Sequence, residues 1–401
     1  MTRAHEDFLT MMRAYLQESA YEPAQDIDWN WMIHYARIHY CGGVLYYMLK
    51  KLPTEKQPDA SIMKQLKKKY MNNLAMGQVR NAGIGRIFEA LAAADIPVCV
   101  MKGFVTREYY PLPEMREMGD VDTMVAASDL ERAHQVMMDL GCSEGEEKGY
   151  EWSYVYSGIR IEIHSNLFPE TSWNDVDYGA YFEDAMLHTR KRNQISLELT
   201  PEYHFIFLLV HMAKHFNAGG TGIHMMTDIG VFLKKLDNEL DWNWLWKELE
   251  KLKLKILAEH MIQLSKRWFG IGSHTVSSEM SEDLYEELTE AILDGGVFGF
   301  ADTNREARRL RRGFGDDGSK TGLWVSIKAL VRNLFPDRRF MCRYYEPLKT
   351  KPYLLPVAWV KRWKVILCTR RSEIGGALCM LFKGGKEASK QYRLLSRLGL
   401  F

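Results

Sequence analysis

The sequence predicts an α+β fold, a small mixed sheet embedded in a mostly helical chain. Three observations carry that expectation. Apolar residues recur at helical spacing through much of residues 1–95 and again from Pro201 onward. Between those stretches the period changes. IPVCVM (96–101), GDVDTMVA (119–126), EWSYVYS (151–157), IRIEIHS (159–165) and QISLEL (194–199) are short runs that read as strands. Among them sits SDLERAHQVMMDLGC (128–142), a helix-like stretch, so strands and helix share one unit. Four regions follow: an N-terminal helical region (1–78), the α+β core (79–200), a second helical region (201–300) and a basic C-terminal region (301–401).

Each element has a local reason. In DIDWNWMIHYARIHY (26–40), Trp31, Tyr35 and Ile38 fall at helical spacing, and Asp26 or Asp28 can cap the start. A long helix is expected from about Ala60 to Ala94. Ile96 opens a short buried strand, with Pro97 near its start. Ser128 is the expected cap of the helix that follows GDVDTMVA, and Gly141 its stop. Ser157-Gly158 marks a tight turn between two strands. PEYHFIFLLVHMAKHF (201–216) has proline at its start and is apolar nearly all round, which predicts a buried helix. TDIGVFLKKL, WNWLWKELEKLKLKILAEHMIQLSKRWF and SEDLYEELTEAIL continue the helical series. Residues 301–322, rich in Arg, Gly and Asp, read as a loop.

Composition narrows the class. Apolar residues make up 46% of the 401 and charged residues 26%, ordinary for a folded, water-soluble protein. The N-terminus reads as an amphipathic helix rather than a secretory signal, and no apolar run approaches the roughly 18 residues a spanning helix needs. The six cysteines form no CxxC, so reduced thiols and a cytoplasmic location are expected. Net charge is +1, but it is unevenly spread. Residues 305–401 carry 23 Lys and Arg against 7 Asp and Glu, leaving 30 against 45 in residues 1–304. Such a split points to a basic segment packed on an acidic body, or to an anionic partner.

The stretch REMGDVDTMV (116–125) raises the chemical question. Asp120 and Asp122 stand two apart in a strand, on one face and about 6.6 Å apart. Two readings are open: a polar strand end facing solvent, or two carboxylates sharing a cation. Glu162 in RIEIH is a third acid, with Arg160 and His164 on its face and Ile161 and Ile163 on the other. Three acids on neighbouring strands suit two metals about 3.5–4 Å apart, which activate an attacking oxygen and stabilise a leaving one. Upstream, VMKGFVTREYYP breaks at Gly103, where backbone can approach a phosphate closely. Lys102, Arg107 and Arg116 add positive charge nearby.

Together VMKGF (100–104), YYPLPEMR (109–116), GDVDTMV (119–125) and IEIHSNLF (161–168) resemble an uncharacterised bacterial nucleotidyltransferase family related to the polymerase-beta-like superfamily. LLVHMAKHF with TDIGVFL extends the likeness to about residue 235. The resemblance implies transfer of a nucleoside monophosphate from a nucleoside triphosphate, ATP by default, to a hydroxyl-bearing acceptor, with pyrophosphate leaving. It implies that Asp120 and Asp122 hold two magnesium ions, with manganese as the alternative, and that Glu162 ligates one metal and can also take the acceptor proton. Gly103 corresponds to the superfamily's phosphate-cradling turn. Here the chain departs from the pattern, because Phe104 stands where Gly or Ser is usual. Lys102 or Arg116 would then replace the lost hydroxyl contact. Loss of either Asp should cost orders of magnitude in rate, with metal-free stability little changed or improved by relief of repulsion.

Other residues carry weaker signals. His211 and His215, at i and i+4 in HMAKH, share a helix face and read as polar groups lining the nucleotide cleft; the motif lacks the Glu of a zinc protease. His164 joins Lys102, Gly103 and Arg116 among the nucleotide-binding candidates, with an ordinary strand-end histidine as the alternative. Asp228 reads as a helix cap or a histidine partner. Tyr109 and Tyr110 offer either a stacking surface for a base or plain packing. Trp31, Trp242 and Trp246 are expected in the core. RRLRR (308–312) reads as a solvated loop. The basic amphipathic KEASKQYRLLSRLGLF (386–401) is expected to dock on the acidic body, with a membrane surface as the alternative. The acceptor, whether protein, metabolite, sugar or RNA, is not readable. Two rival functions are a catalytically inactive nucleotide-binding or scaffolding protein on the same fold, and an RNA-binding protein using the basic tail.

Overall fold

The computed structural model describes residues 1–147, 150–168, 174, 176–272, 276, 279–297, 335–336, 338–342, 345–369 and 390–400. Its first part is helical: α1 (Arg3–Leu16), α2 (Trp29–Ile38), α3 (Gly42–Leu49) and the 34-residue α4 (Ala60–Ala93). Thr2 caps α1 by accepting from His5 N, and Asp28 caps α2 by accepting from Asn30 N. Asp26 instead pairs with Arg3. On α2 the buried face falls on Met32, Tyr35 and Ala36. Trp31, one position away around the helix, is 49% exposed rather than core.

The α+β unit follows. β1 (Cys99–Val100) leads into the one-turn α5 (Gly103–Thr106), then β2 (Asp120–Met124) and α6 (Leu130–Asp139). Next come β3 (Ser143–Glu147), β4 (Glu151–Tyr156), β5 (Ile159–His164), α7 (Tyr178–Tyr181), β6 (Thr189–Lys191) and β7 (Leu197–Leu199). They form one seven-stranded mixed sheet in the order β3-β4-β5-β2-β1-β7-β6. Strands β2 and β5 run parallel, as do β1 and β7. The β4–β5 hairpin turns at Ser157 (φ 49°) and Gly158 (φ 79°), both in the left-handed region that a two-residue hairpin loop needs.

Two details differ from the sequence expectation. Ser128 lies in a 3-10 turn, Ala127–Asp129, so the helix begins one residue later than expected, with Asp129 at its N-cap position and no side-chain cap bond. Gly141 does stop the chain beyond that helix, at φ 77°. The edge strands β3 and β6 have no apolar alternation. Their sequences, SEGEE and TRK, are charged, which suits edges that must not recruit further strands.

The helical series resumes with α8 (Pro201–Ala218), α9 (Ile223–Leu236), α10 (Trp242–Lys251), α11 (Lys255–Phe269) and α12 (Glu282–Leu293). Further helices span Arg338–Met341 and Leu355–Thr369. Among the described residues no helix is long and apolar enough to cross a membrane.

The sheet buries both faces. On one, Ile161, Ile163, Val121 and Val100 pack with Ile84, Ile87 and Phe88 of α4 and Ala133 and Met137 of α6. On the other, Cys99, Met101, Met124 and Leu199 join a larger core with Phe205, Phe207 and Met212 of α8 and with helices α1, α9 and α11. The acids of β2 and β5 lie on this second face by strand alternation. At the C-terminus, Leu394, Leu395, Leu398 and Leu400 enter the same core. Arg397 bridges Glu287 and Asp283 on α12, so residues 390–400 dock on the acidic body. RRLRR and residues 301–322 lie outside the described residues.

Candidate functional site

Parallel pairing sets the site. The register places Asp122 opposite Glu162, Asp120 opposite Arg160 and Met124 opposite His164. Because side chains alternate along a strand, Asp120, Asp122, Glu162 and His164 share one face. Asp122, Glu162 and His164 come together, each offering one ligand atom within 4.8 Å of the others'. His164 Nε2 lies 3.3 Å from Asp122 Oδ1 and 3.7 Å from Glu162 Oε2. Asp120 stands outside that triple, although its neighbours' charges reach it.

Lys102 closes the cluster. Its Nζ lies 2.6 Å from Asp122 Oδ1, with both side chains largely buried (17% and 12% exposed). The lysine sits at the N-cap of α5 in a left-handed conformation (φ 50°), which a residue with a Cβ adopts only at a cost. Burial alone would raise the pKa of Asp122, but Lys102 and then His164 outweigh it and hold the carboxyl well below the usual range. Conversely, burial opposes the charge on Lys102, and Asp122 restores it and pushes its pKa up. Glu162 is lowered, chiefly by the His164 ring, with burial opposing. Asp120 is raised, by burial first and then by repulsion from Asp122 and Glu162. For His164, burial disfavours protonation, yet Asp122 and Glu162 overcome it and raise its pKa.

One expectation is corrected by this pairing. Repulsion between the two aspartates suggested that removing either would leave stability little changed or improved. At Asp120 burial and repulsion from Asp122 and Glu162 oppose the charge, so the expectation stands there as a prediction. Removing Asp122 would strand a buried ammonium, and an uncompensated buried charge is destabilising.

Arg116 is engaged elsewhere. Its Nε donates to Asp228 Oδ1 at 2.9 Å and its terminal nitrogen to Oδ2 at 2.7 Å, a two-pronged pair buried against α9. The Tyr110 hydroxyl lies 2.7 Å from both Asp228 Oδ1 and Thr227 Oγ1. Asp228 is thus not a helix cap, and its hydrogen-bond partners are Arg116 and Tyr110, with His224 and His204 only within reach of its charge. It lies within α9 and pins the loop between β1 and β2. The same contacts hold Tyr110 in the core, so its ring is not free for a base, whereas the half-buried Tyr109 packs edge-on to Phe232 (6.3 Å between ring centres). The loop's other side is tied to α4, where Lys69 Nζ and Asn73 Nδ2 donate to Glu117 at 2.7 and 3.1 Å. Gly103 serves the same strapping. A Cβ there would stand 3.1 Å from an Arg116 guanidinium nitrogen and 3.3 Å from Met118 Sδ.

His211 and His215 meet edge to face on one side of α8, with Nε2 atoms 3.3 Å apart. Burial and the nearby Lys102 keep His211 well below its ordinary pKa. Burial, Lys214 and Lys102 bring His215 to about 4. The field of Lys102 and Asp122 at both rings places this neutral pair beside the acidic cluster.

The donor set suits a divalent cation. Two carboxylates and an imidazole converge, and the imidazole is 5% exposed with neither nitrogen in a hydrogen bond. A buried polar group without a hydrogen bond is uncommon, and a metal bound between the ring and the two acids would satisfy it. Sequence reasoning missed two links: Lys102 as the partner of Asp122, and Asp228 as the partner of Arg116. The second had a signal, since an aspartate inside the apolar run of α9 needs a buried cation.

Against known proteins, the chain matches the sequence model of a family described as "Uncharacterised nucleotidyltransferase" over residues 25–270. It is also similar to the solved structure of the antibiotic-resistance factor ANT(2'')-Ia at 12% identity, with a TM-score of 0.34, over 46% of this chain and 97% of that one. No curated protein matches it.

Proposed function

The chain belongs to the uncharacterised nucleotidyltransferase family, and from that premise we propose that it moves a nucleoside monophosphate from a nucleoside triphosphate, ATP by default, to a hydroxyl-bearing acceptor, with pyrophosphate leaving. The observation that supports this best is the pairing of Asp122 with Glu162 across parallel strands, with Lys102 2.6 Å from Asp122.

In this reading Asp120, Asp122 and Glu162 hold divalent cations, magnesium or manganese. When bound, such ions neutralise phosphate charge and stabilise the attacking and leaving oxygens. The chain's own groups position and move charge. Glu162, held low in pKa and therefore ionised at neutral pH, accepts the acceptor's proton. Lys102 supplies positive charge where the leaving pyrophosphate develops its own. His211 and His215 stay neutral, so they offer hydrogen bonds to the nucleotide without adding charge. Gly103 and Arg116 act indirectly, by fixing the loop that carries Lys102.

One observation favours the rival, nucleotide binding without turnover. Phe104 is buried and packs edge-on to Phe88 at 6.3 Å, so that position offers the phosphates no hydroxyl. Incubation of the purified chain with α-labelled triphosphates, divalent metal and cell extract separates the two. Labelled acceptor and free pyrophosphate are expected, falling a hundredfold or more in Asp122→Ala, about the several kcal/mol of charge stabilisation at stake. Triphosphate binding without pyrophosphate release would support the rival. Equal labelling by wild type and Asp122→Ala would remove the proposal.

A further inference from the structure

We propose that His164 Nε2 is itself a metal ligand beside Asp122 and Glu162, and that this mixed nitrogen–oxygen site takes a transition-metal dication in preference to magnesium. The inference deepens the proposed function and rests on it for the use of the metal; the site's existence is tested separately.

The geometry is specific. The β2–β5 register puts Met124, not Asp122, opposite His164, so the imidazole reaches back along the strand to the paired acids. Its Nε2 is 3.3 Å from Asp122 Oδ1 and 3.7 Å from Glu162 Oε2. Donors bound at right angles to one ion at 2.0–2.2 Å stand about 3 Å apart, so a cation fits with little movement of either strand once the Lys102 ammonium, 2.6 Å from the same Asp122 Oδ1, swings aside.

The ring is also built like a ligand. His164 is 5% exposed, and neither of its nitrogens makes a hydrogen bond. On the far side, Nδ1 faces Glu151 Oε2 at 3.9 Å. Metal-binding histidines characteristically present their second nitrogen to a carboxylate, which fixes the tautomer and leaves the first nitrogen to the ion. Register supports the pairing, because Glu151 is the β4 residue opposite His164.

Donor chemistry then selects the metal. Magnesium takes oxygen ligands in near-octahedral order and sheds water reluctantly. Imidazole beside carboxylates suits first-row transition ions better. Asp120, outside the triple, remains for the cation that accompanies the triphosphate.

Manganese is the probe. Electron paramagnetic resonance of the full chain, without nucleotide, should show Mn²⁺ binding with nuclear coupling from an imidazole nitrogen. A tenfold excess of Mg²⁺ should leave most of it bound. His164→Gln should lose the coupling and weaken binding tenfold or more, with circular dichroism unchanged. If that variant fails to fold, the coupling in wild type decides alone. No Mn²⁺ binding at millimolar concentration, bound Mn²⁺ without nitrogen coupling, a folded His164→Gln that binds equally well, or full displacement by equimolar Mg²⁺ would overturn the proposal. Nitrogen-coupled Mn²⁺ in a protein that transfers no label would uphold this site and defeat the functional reading instead.

Discussion

At the residue scale, two buried ion pairs divide the work around the loop from Met101 to Gly119. Lys102 with Asp122 belongs to the site, whereas Arg116 with Asp228 belongs to the frame. Both chemistries were visible in the sequence as charges near an apolar strand, but their partners were not. Asp228 lies 112 positions from Arg116, and no local pattern links residues so far apart. Breaking a buried pair by removing one partner costs about 3–5 kcal/mol. Asp228→Ala should therefore lower stability by that order in urea unfolding. Arg116→Lys should recover only part of the loss of Arg116→Ala, because an ammonium cannot reproduce the two-pronged contact. A loss below about 1 kcal/mol for Asp228→Ala would mean that the pin is not what holds the loop.

At the scale of elements, legibility followed burial. Strands β2, β4 and β5 alternate or carry β-branched residues because one face meets α4 and α6, and the sequence shows it. Strands β3 and β6 escaped because they are the two edges, short and charged, with no apolar face to show a period. The WNWLWKELEKLKLKILAEHMIQLSKRWF stretch is two helices, broken around Lys253 (φ 55°) without a glycine or proline to mark the place. The β4–β5 turn was readable from Ser157-Gly158, and it sets the register that brings Glu162 and His164 to their neighbours. Gly158→Ala forces a Cβ into the left-handed region, though nothing lies within 4 Å to clash with it. A loss of about 1–2 kcal/mol is expected from backbone strain alone. An unchanged melting midpoint would show that the turn relaxes without cost.

For the whole molecule, the α+β class and the place of the sheet between helical regions followed from the changing period, while of the residues in DVD and EIH the fold brings Asp122, Glu162 and His164 together and leaves Asp120 outside the triple. The buried histidines did not follow, because their pKa values depend on packing from distant helices. His39 and His204, each 2% exposed, are pushed down to about 4, chiefly by burial. His215 and His224 shift the same way, to about 4 and about 3. Unfolded histidine titrates near 6.5. Stability from these groups is thus whole above that pH and is lost as pH falls toward 4, because the unfolded chain takes up protons that the native state refuses. Each group contributes a slope of up to about 1.4 kcal/mol per pH unit. His164 opposes the trend, since its raised pKa favours the native state once protonated. Unfolding midpoints in guanidinium should fall steadily from pH 7 to 5, and a flat profile would show the four rings taking up protons in the fold as readily as in the unfolded chain.

The central claim concerns which phosphate moves. Parallel incubations with α-labelled and γ-labelled ATP, divalent metal and acceptor test it most directly. The account predicts acceptor labelled from the α position alone, γ label recovered as pyrophosphate, and neither outcome with Asp122→Ala. Acceptor labelled from the γ position would make the chain a phosphotransferase and contradict the account.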